Sequence, residues 1–368
     1  MNPLIRTITG AGLALGLAAC GQADQTAEKS GTAPDYAAMA QRIAHENIII
    51  DSHIDVPYRL EEHDEDVSVA TEGGDFDWPR ARAGGLDAPF MSIYLPARYQ
   101  VEGGAKALAD HLIDVVEGIA AHAPDKFMVA HSTADVEDAF ARHLIALPMG
   151  MENGAGIEDD LANLDHFYKR GIRYITLAHS KSNLISDSSY DDNKQHGGLS
   201  PFGEKVVARM MQLGIMIDIS HVSDDAFYDV IRLARVPVIA SHSSARYFTP
   251  GWERNMTDEM IRALAENGGV IQVAIGSAFL TAGANAYSQA RGPAREAWLK
   301  EKGLDDNAAS REAFEKEYRA TNPYPYATLD QVLDVFDHVI DVAGIDHVGI
   351  GTDFDGVGDS LPVGLKDV

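Results

Sequence analysis

Residues 200–242 read SPFGEKVVARMMQLGIMIDISHVSDDAFYDVIRLARVPVIASH, and the pattern within them decides the fold class. Ser200 followed by Pro201 is a helix start, a hydroxyl to cap free N–H groups and a proline at the first helical position. Phe202, Val206, Met210 and Leu213 then recur on one helical face, and Gly214 stops the helix. Residues 215–219 form a short, nearly continuous apolar run, which suits a parallel strand buried on both faces. Ser223-Asp224-Asp225 opens a second helix with Phe227, Val230, Ile231 and Ala234 inward. Pro237 lies beyond its end, and residues 236–240 read as a strand again.

The same alternation extends in both directions. Eight strands are expected, at 48–51, 90–95, 145–149, 172–177, 215–219, 236–240, 270–274 and 348–351. Thr257-Asp258-Glu259 opens a third helix that Asn267-Gly268 closes. Eight strands alternating with helices predict an α/β fold, a (β/α)8 TIM barrel, over an open doubly wound sheet. The barrel domain is expected over residues 36–368, with a polar, helix-prone insertion at 284–326 placed to edge or cover the barrel mouth. Little sequence follows the eighth strand, so either another element replaces its helix or the chain is truncated before it, and truncation is the expectation. No dinucleotide glycine fingerprint or phosphate loop is present. Gly351-Thr-Asp-Phe-Asp-Gly356 lacks the Gly-Lys-Ser/Thr ending of the latter, and its Gly356 comes too early for a calcium loop.

Composition narrows the function. The 368 residues carry 30 basic and 56 acidic side chains, a net charge of −26, which argues against nucleic acid as a partner. Cys20 is the single cysteine, so the rest of the chain offers no thiolate to a metal and no cysteine nucleophile. Residues 1–19 combine Arg6 with a short apolar run ending in Leu17-Ala18-Ala19, which resembles a bacterial lipoprotein signal cleaved ahead of Cys20. Lipidation of Cys20 would make this the membrane attachment, and residues 20–35, small and polar, read as a flexible tether. The expected location is the bacterial cell envelope, facing the periplasm, with Gly21 pointing to the outer membrane.

Chemistry-bearing residues follow the strands. The first runs into Asp51-Ser-His53-Ile-Asp55, the third ends in Glu152-Asn-Gly154, and the fourth reaches His179. The fifth leads to His221, the sixth to His242, and the eighth to Asp353 and Asp355. The C-terminal mouth of such a barrel is where its active site lies. Ionisable groups crowded there need neutralising, and divalent cations would do it. Mixed imidazole and carboxylate with no thiolate suits zinc, and also manganese, cobalt or nickel. Two metals about 3.5–4 Å apart need a bridging carboxylate and activate water for hydrolysis of an amide, ester or phosphoester.

Six blocks together resemble the membrane (renal-type) dipeptidases, peptidase family M19 of the amidohydrolase superfamily. They are Asp51-Ser-His-Ile-Asp-Val-Pro57, Met151-Glu-Asn-Gly154, Gly198-Leu-Ser-Pro-Phe-Gly203, Asp218-Ile-Ser-His-Val-Ser223, Ser241-His-Ser-Ser-Ala-Arg246 and Gly351-Thr-Asp-Phe-Asp-Gly356. The resemblance implies a barrel with two Zn2+ ions that cleaves dipeptides through a bridging hydroxide and tolerates a D-residue at the C-terminal position. It implies His53, Asp55 and Asp353 as ligands of one metal, His221 and His242 as ligands of the other, and Glu152 as the bridge. Asp353 would also move the proton from water to the leaving amine. His179 would steady the oxyanion, and Arg254 would grip the substrate carboxylate. Asp355 reads as a residue that steadies the ligands, while Asp51 and Asp218 read as structural or as supports. A homodimer is a further expectation. Two other readings stay open at this stage: the same barrel acting on N-acyl amino acids, lactones or other small amides, and a non-catalytic envelope lipoprotein that binds ligand or metal.

Overall fold

The computed structural model describes residues 35–368. The signal and lipidation site expected at residues 1–20, and nearly all of the tether, lie outside the described residues. Among the described residues there are ten strands: β1 Ile50–Ile54, β2 Ala88–Tyr94, β3 Phe127–Val129, β4 Ile145–Leu147, β5 Met149–Glu152, β6 Ile172–Thr176, β7 Met216–Asp218, β8 Ile239–Ser243, β9 Val270–Val273 and β10 Val348–Ile350. Eight of them pair in the order β1-β2-β5-β6-β7-β8-β9-β10, every pairing parallel. Ile54 bridges to Phe354, with Asp55 N–H donating to the Phe354 carbonyl at 2.8 Å and Asp353 N–H to the His53 carbonyl at 3.1 Å. These contacts draw the two ends of the sheet together into a nearly closed (β/α)8 barrel.

One strand expectation needs correcting. The apolar run 145–149 is not one strand: β4 pairs with β3 in a separate two-stranded sheet, and the barrel strand is β5. Pro148 divides them, having no N–H for a ladder, while its carbonyl accepts from Met91 N–H at 2.8 Å. An unbroken apolar run conceals this change of partner. Two further strands lie two or three residues beyond their expected positions, so that His53 and His242 fall inside β1 and β8. They carry Ser52 and His53 in β1 and Ser241, His242 and Ser243 in β8, and a search for apolar runs passes over such segments.

The helices follow their local signals. Ser200 caps the helix Pro201–Leu213 by accepting from Gly203 N–H, and Gly214 ends it in the left-handed conformation that glycine adopts without penalty. Ser223 caps Asp224–Leu233, and Thr257 caps Asp258–Glu266. The inward faces of these helices, including Val206, Met210, Phe227, Val230 and Ile261, are buried against the barrel wall. The insertion forms two helices, Ala282–Lys302 and Ala308–Thr321, the second opened by a capping box from Asn307 and Ser310. Among the described residues, no helix is long and apolar enough to cross a membrane.

Candidate metal centre

Three strand ends and two loops bring the expected ligands into one place. His53 is fully buried on β1, and its Nε2 has no hydrogen-bond partner. Around that nitrogen stand Asp55 Oδ2 at 3.6 Å, Glu152 Oε2 at 3.7 Å and Asp353 Oδ1 at 3.9 Å. Glu152, the last residue of β5, turns its other oxygen the opposite way. Its Oε1 lies 3.1 Å from His221 Nε2 and 3.1 Å from His242 Nε2. One carboxylate therefore faces two donor groups: His53, Asp55 and Asp353 on one side, His221 and His242 on the other.

The backbone is forced to make this cluster. His221 and Asp353 both adopt positive φ, 67° and 64°, which costs a residue bearing a Cβ about 1–3 kcal/mol and persists where surrounding structure compels it. Gly356 follows Asp353 closely because a Cβ there would lie 2.2 Å from Asp55 Oδ2 and 2.5 Å from Asp353 Oδ1. Asp51 and Asp218 act from within the wall, as the sequence reading expects of structural carboxylates. Asp51 accepts from His53 N–H, Thr352 N–H and Thr352 Oγ1, joining β1 to the segment after β10. Asp218 accepts from Ser220 and Ser241 N–H groups and from the Thr176 and Ser241 hydroxyls, and that Ser241 hydroxyl lies 2.8 Å from His242 Nδ1.

Asp355 takes a different part from the one expected. Its carboxylate meets Arg59 Nη1 at 3.1 Å and Asp75 N–H at 2.6 Å, so it holds the loop around residue 75 rather than bonding to a ligand. A buried carboxylate needs such partners, and the Arg59 guanidinium supplies the charge.

The electrostatics show groups in conflict. Burial, and then Asp55 beside it, pushes the Asp353 carboxyl up to about 8. Burial lowers the His242 imidazole to about 4, aided by His53, and holds His221 well below its ordinary value, aided by Arg254. Both imidazoles are thus neutral and offer lone pairs. Glu152 is held well below the carboxylate range: burial opposes ionisation, but four histidines outweigh it. An orphaned buried nitrogen, neutral imidazoles and carboxylates crowded against one another fit divalent cations, since a cation satisfies the nitrogen and relieves the repulsion.

His179 reaches the same side of Glu152, with Nε2 3.6 Å from Oε1 and its ring 4.3 Å from that of His221. It is more open than the buried imidazoles and lines a cavity of about 1110 Å³ together with Glu152, His221 and Asp353. The insertion contributes Arg291, Glu315 and Arg319 to that cavity, as its expected position at the mouth suggests. Arg254 is buried, not at the surface. Its Nη2 is 3.0 Å from His221 Nε2 and donates to the His242 carbonyl at 2.6 Å, Nη1 donates to Ser243 Oγ at 2.8 Å, and Nε has no partner. A His221 lone pair committed to a cation cannot also accept from Arg254, and a donor is then free for a carboxylate.

Several site residues escape the sequence reading. Tyr174, fully buried on β6, places its hydroxyl 2.7 Å from His53 Nδ1. Its register partner Gly150 on β5 makes room, since a Cβ there would lie 2.0 Å from the Tyr174 ring. The available signal is period two along β6: Tyr174 and Thr176 share a face, and both carry hydroxyls. Tyr94 meets His179 edge-on at 4.9 Å, and Tyr190, Trp252 and Phe279 also line the cavity.

Comparison with known proteins gives a consistent picture. The family model described as membrane dipeptidase (peptidase family M19) matches residues 37–368. An uncharacterized dipeptidase of Schizosaccharomyces pombe is 29% identical over 339 residues, covering 87% of this chain and 72% of that protein. The crystal structure of the probable dipeptidase PvdM from Pseudomonas aeruginosa superposes with a TM-score of 0.74 at 27% identity, covering 90% of this chain and 88% of that one. A metallopeptidase from Rhodobacter sphaeroides, crystallised with a phosphinate mimic of the dipeptide L-Ala-D-Ala, superposes with a TM-score of 0.70 at 25% identity, covering 87% and 89%.

Proposed function

The chain belongs to the membrane dipeptidase family, peptidase family M19, a family of metal-dependent peptidases, and from that premise we propose that it is a binuclear enzyme cleaving dipeptides, including those with a C-terminal D-residue. The observation that carries the two-metal reading is Glu152, one oxygen toward the His53 group and the other toward His221 and His242. His53, Asp55 and Asp353 would hold one cation, His221 and His242 the other, and Glu152 both. The donor set suits Zn2+, with Mn2+, Co2+ or Ni2+ as chemically competent substitutes. When bound, the cations supply an activated water and polarise the scissile carbonyl.

The protein's own groups do the rest. Asp353, crowded against His53 and Asp55, takes a proton from the attacking water and returns it to the leaving amine. His179 Nε2 stands at the cavity side of Glu152 and donates to the developing oxyanion. The guanidinium of Arg254 receives the substrate's terminal carboxylate. Acceptance of a D-residue draws support from the L-Ala-D-Ala mimic in the Rhodobacter sphaeroides relative.

The test is hydrolysis of L-Ala-L-Ala and L-Ala-D-Ala, each with and without chelator, by the wild type and by Asp353→Asn. Turnover of both dipeptides, abolished by chelator and lowered at least about a hundredfold by the substitution, is the expected result. Full turnover in chelator contradicts the proposal. We further propose that Cys20 carries a lipid anchor holding the enzyme in the cell envelope, on the support of Leu17-Ala18-Ala19-Cys20. Cys20→Ala should move the chain out of the membrane fraction, and retention there contradicts the anchor.

A further inference from the structure

We propose that an aromatic recess beside Arg254, formed by Tyr190, Trp252 and Phe279, selects substrates whose C-terminal residue has a large apolar or aromatic side chain. The inference rests on the dipeptidase reading and on Arg254 as partner of the terminal carboxylate. Phe279 lies under that guanidinium, with Cζ 5.1 Å from the ring centroid. Trp252 packs against Phe279 at 5.2 Å and against Tyr190 at 6.0 Å, and Tyr190 reaches the His221 ring at 5.7 Å. The three rings line the same cavity as Glu152 and Asp353. They form a continuous surface from a candidate ligand to the candidate carboxylate partner.

The recess is preformed. Asn255, fully buried, donates to the Phe279 carbonyl at 2.9 Å and to Thr249 Oγ1 at 2.8 Å. It ties the loop carrying Trp252 and Arg254 to the helix carrying Phe279, so little ordering is left for the substrate to impose. Tyr190 is nonetheless 40% exposed, although it belongs to an aromatic cluster. Apolar surface of this kind inside a catalytic cavity gains by being covered. A side chain attached one bond from a carboxylate held by Arg254 is the part of a dipeptide that falls against these rings. Elsewhere in the cavity Tyr94 stands against His179, with Tyr58 packed edge-on behind it.

Selection of this sort is a ratio of specificity constants. The experiment measures kcat/KM for L-Ala-X with X as Gly, L-Ala, L-Leu and L-Phe, and for the reverse series X-L-Ala, in the metal-loaded full chain. Phe should exceed Gly at the C-terminal position by about tenfold or more, expressed mainly in KM. The reverse series should spread less. In Trp252→Ala the Phe-to-Gly ratio should fall to within about threefold, and Phe279→Leu should reduce it as well. A flat C-terminal series in the wild type, a wider spread in the reverse series, or an undiminished ratio in both variants overturns the proposal. The wild-type series decides alone if the variants do not fold. Absence of hydrolysis for every dipeptide removes the dipeptidase reading, and the recess proposal with it.

Discussion

Tyr174 sits in the apolar strand Ile172–Thr176 and would pass for an ordinary core aromatic, yet its hydroxyl meets His53 Nδ1 at 2.7 Å. With Nδ1 protonated, the phenol accepts from it and the Nε2 lone pair faces the carboxylates, the tautomer a metal ligand needs. Tyr174→Phe keeps the ring that fills the space above Gly150 and removes only the oxygen. Metal affinity should fall about 10- to 100-fold, measured by competition with a chelating dye, while the thermal midpoint of the metal-free chain changes little. Unchanged affinity would show that the hydroxyl has no hold on His53. The eight residues assigned to chemistry from sequence, His53, Asp55, Glu152, His179, His221, His242, Arg254 and Asp353, all converge on one centre. All but Arg254 lie where a polar residue interrupts an apolar strand or follows it, whereas Arg254, in the loop well beyond β8, was assigned through the family resemblance alone. Tyr174, Tyr190, Trp252 and Phe279 were not legible in that way. Aromatic residues are equally at home in a core, and only the folded arrangement shows which of them face the cavity.

At the scale of elements, the segment after β6 carries both His179 and Tyr190, and one carboxylate organises it. Asp187 accepts from the N–H groups of Gln195, His196, Gly197 and Gly198 at 2.6 to 3.1 Å. Burial works against its ionisation, but those backbone donors prevail and hold its carboxyl below the usual range. A carboxyl lowered on folding contributes stability that is fully present above its unfolded pKa of about 3.9 and is lost as pH falls through the folded value. Asp187→Asn should therefore lower the thermal midpoint at pH 7, and the gap from wild type should close as pH drops below about 4. A gap that stays constant across that range would show that charge is not what holds the segment. The same scale explains where strand reading failed. Pro148 splits an apolar run whose hydrophobicity continues through it, and β8 was placed too early because its second half is the polar run Ser241, His242 and Ser243. Helix boundaries were far more legible: Ser200, Ser223, Thr257 and Gly214 act through local hydrogen bonds and backbone conformation, which sequence records directly.

For the whole molecule, the barrel places strand ends from both halves of the chain around one carboxylate. β1 and the segment after β10, far apart in sequence, are joined through Asp51 and Thr352, and this closure brings Asp353 to His53. The parallel order of strands was legible from alternating helices and apolar runs, whereas the extra β3–β4 sheet was not, its strands being three residues each. The central claim is that Glu152 stands between two cation positions that together drive dipeptide hydrolysis. Its most direct test is a titration of the metal-free chain with Zn2+, following L-Ala-D-Ala hydrolysis at each addition. Activity that climbs to a plateau at about two equivalents per chain is the predicted result. A plateau at one equivalent, or full activity before any Zn2+ is added, would contradict it.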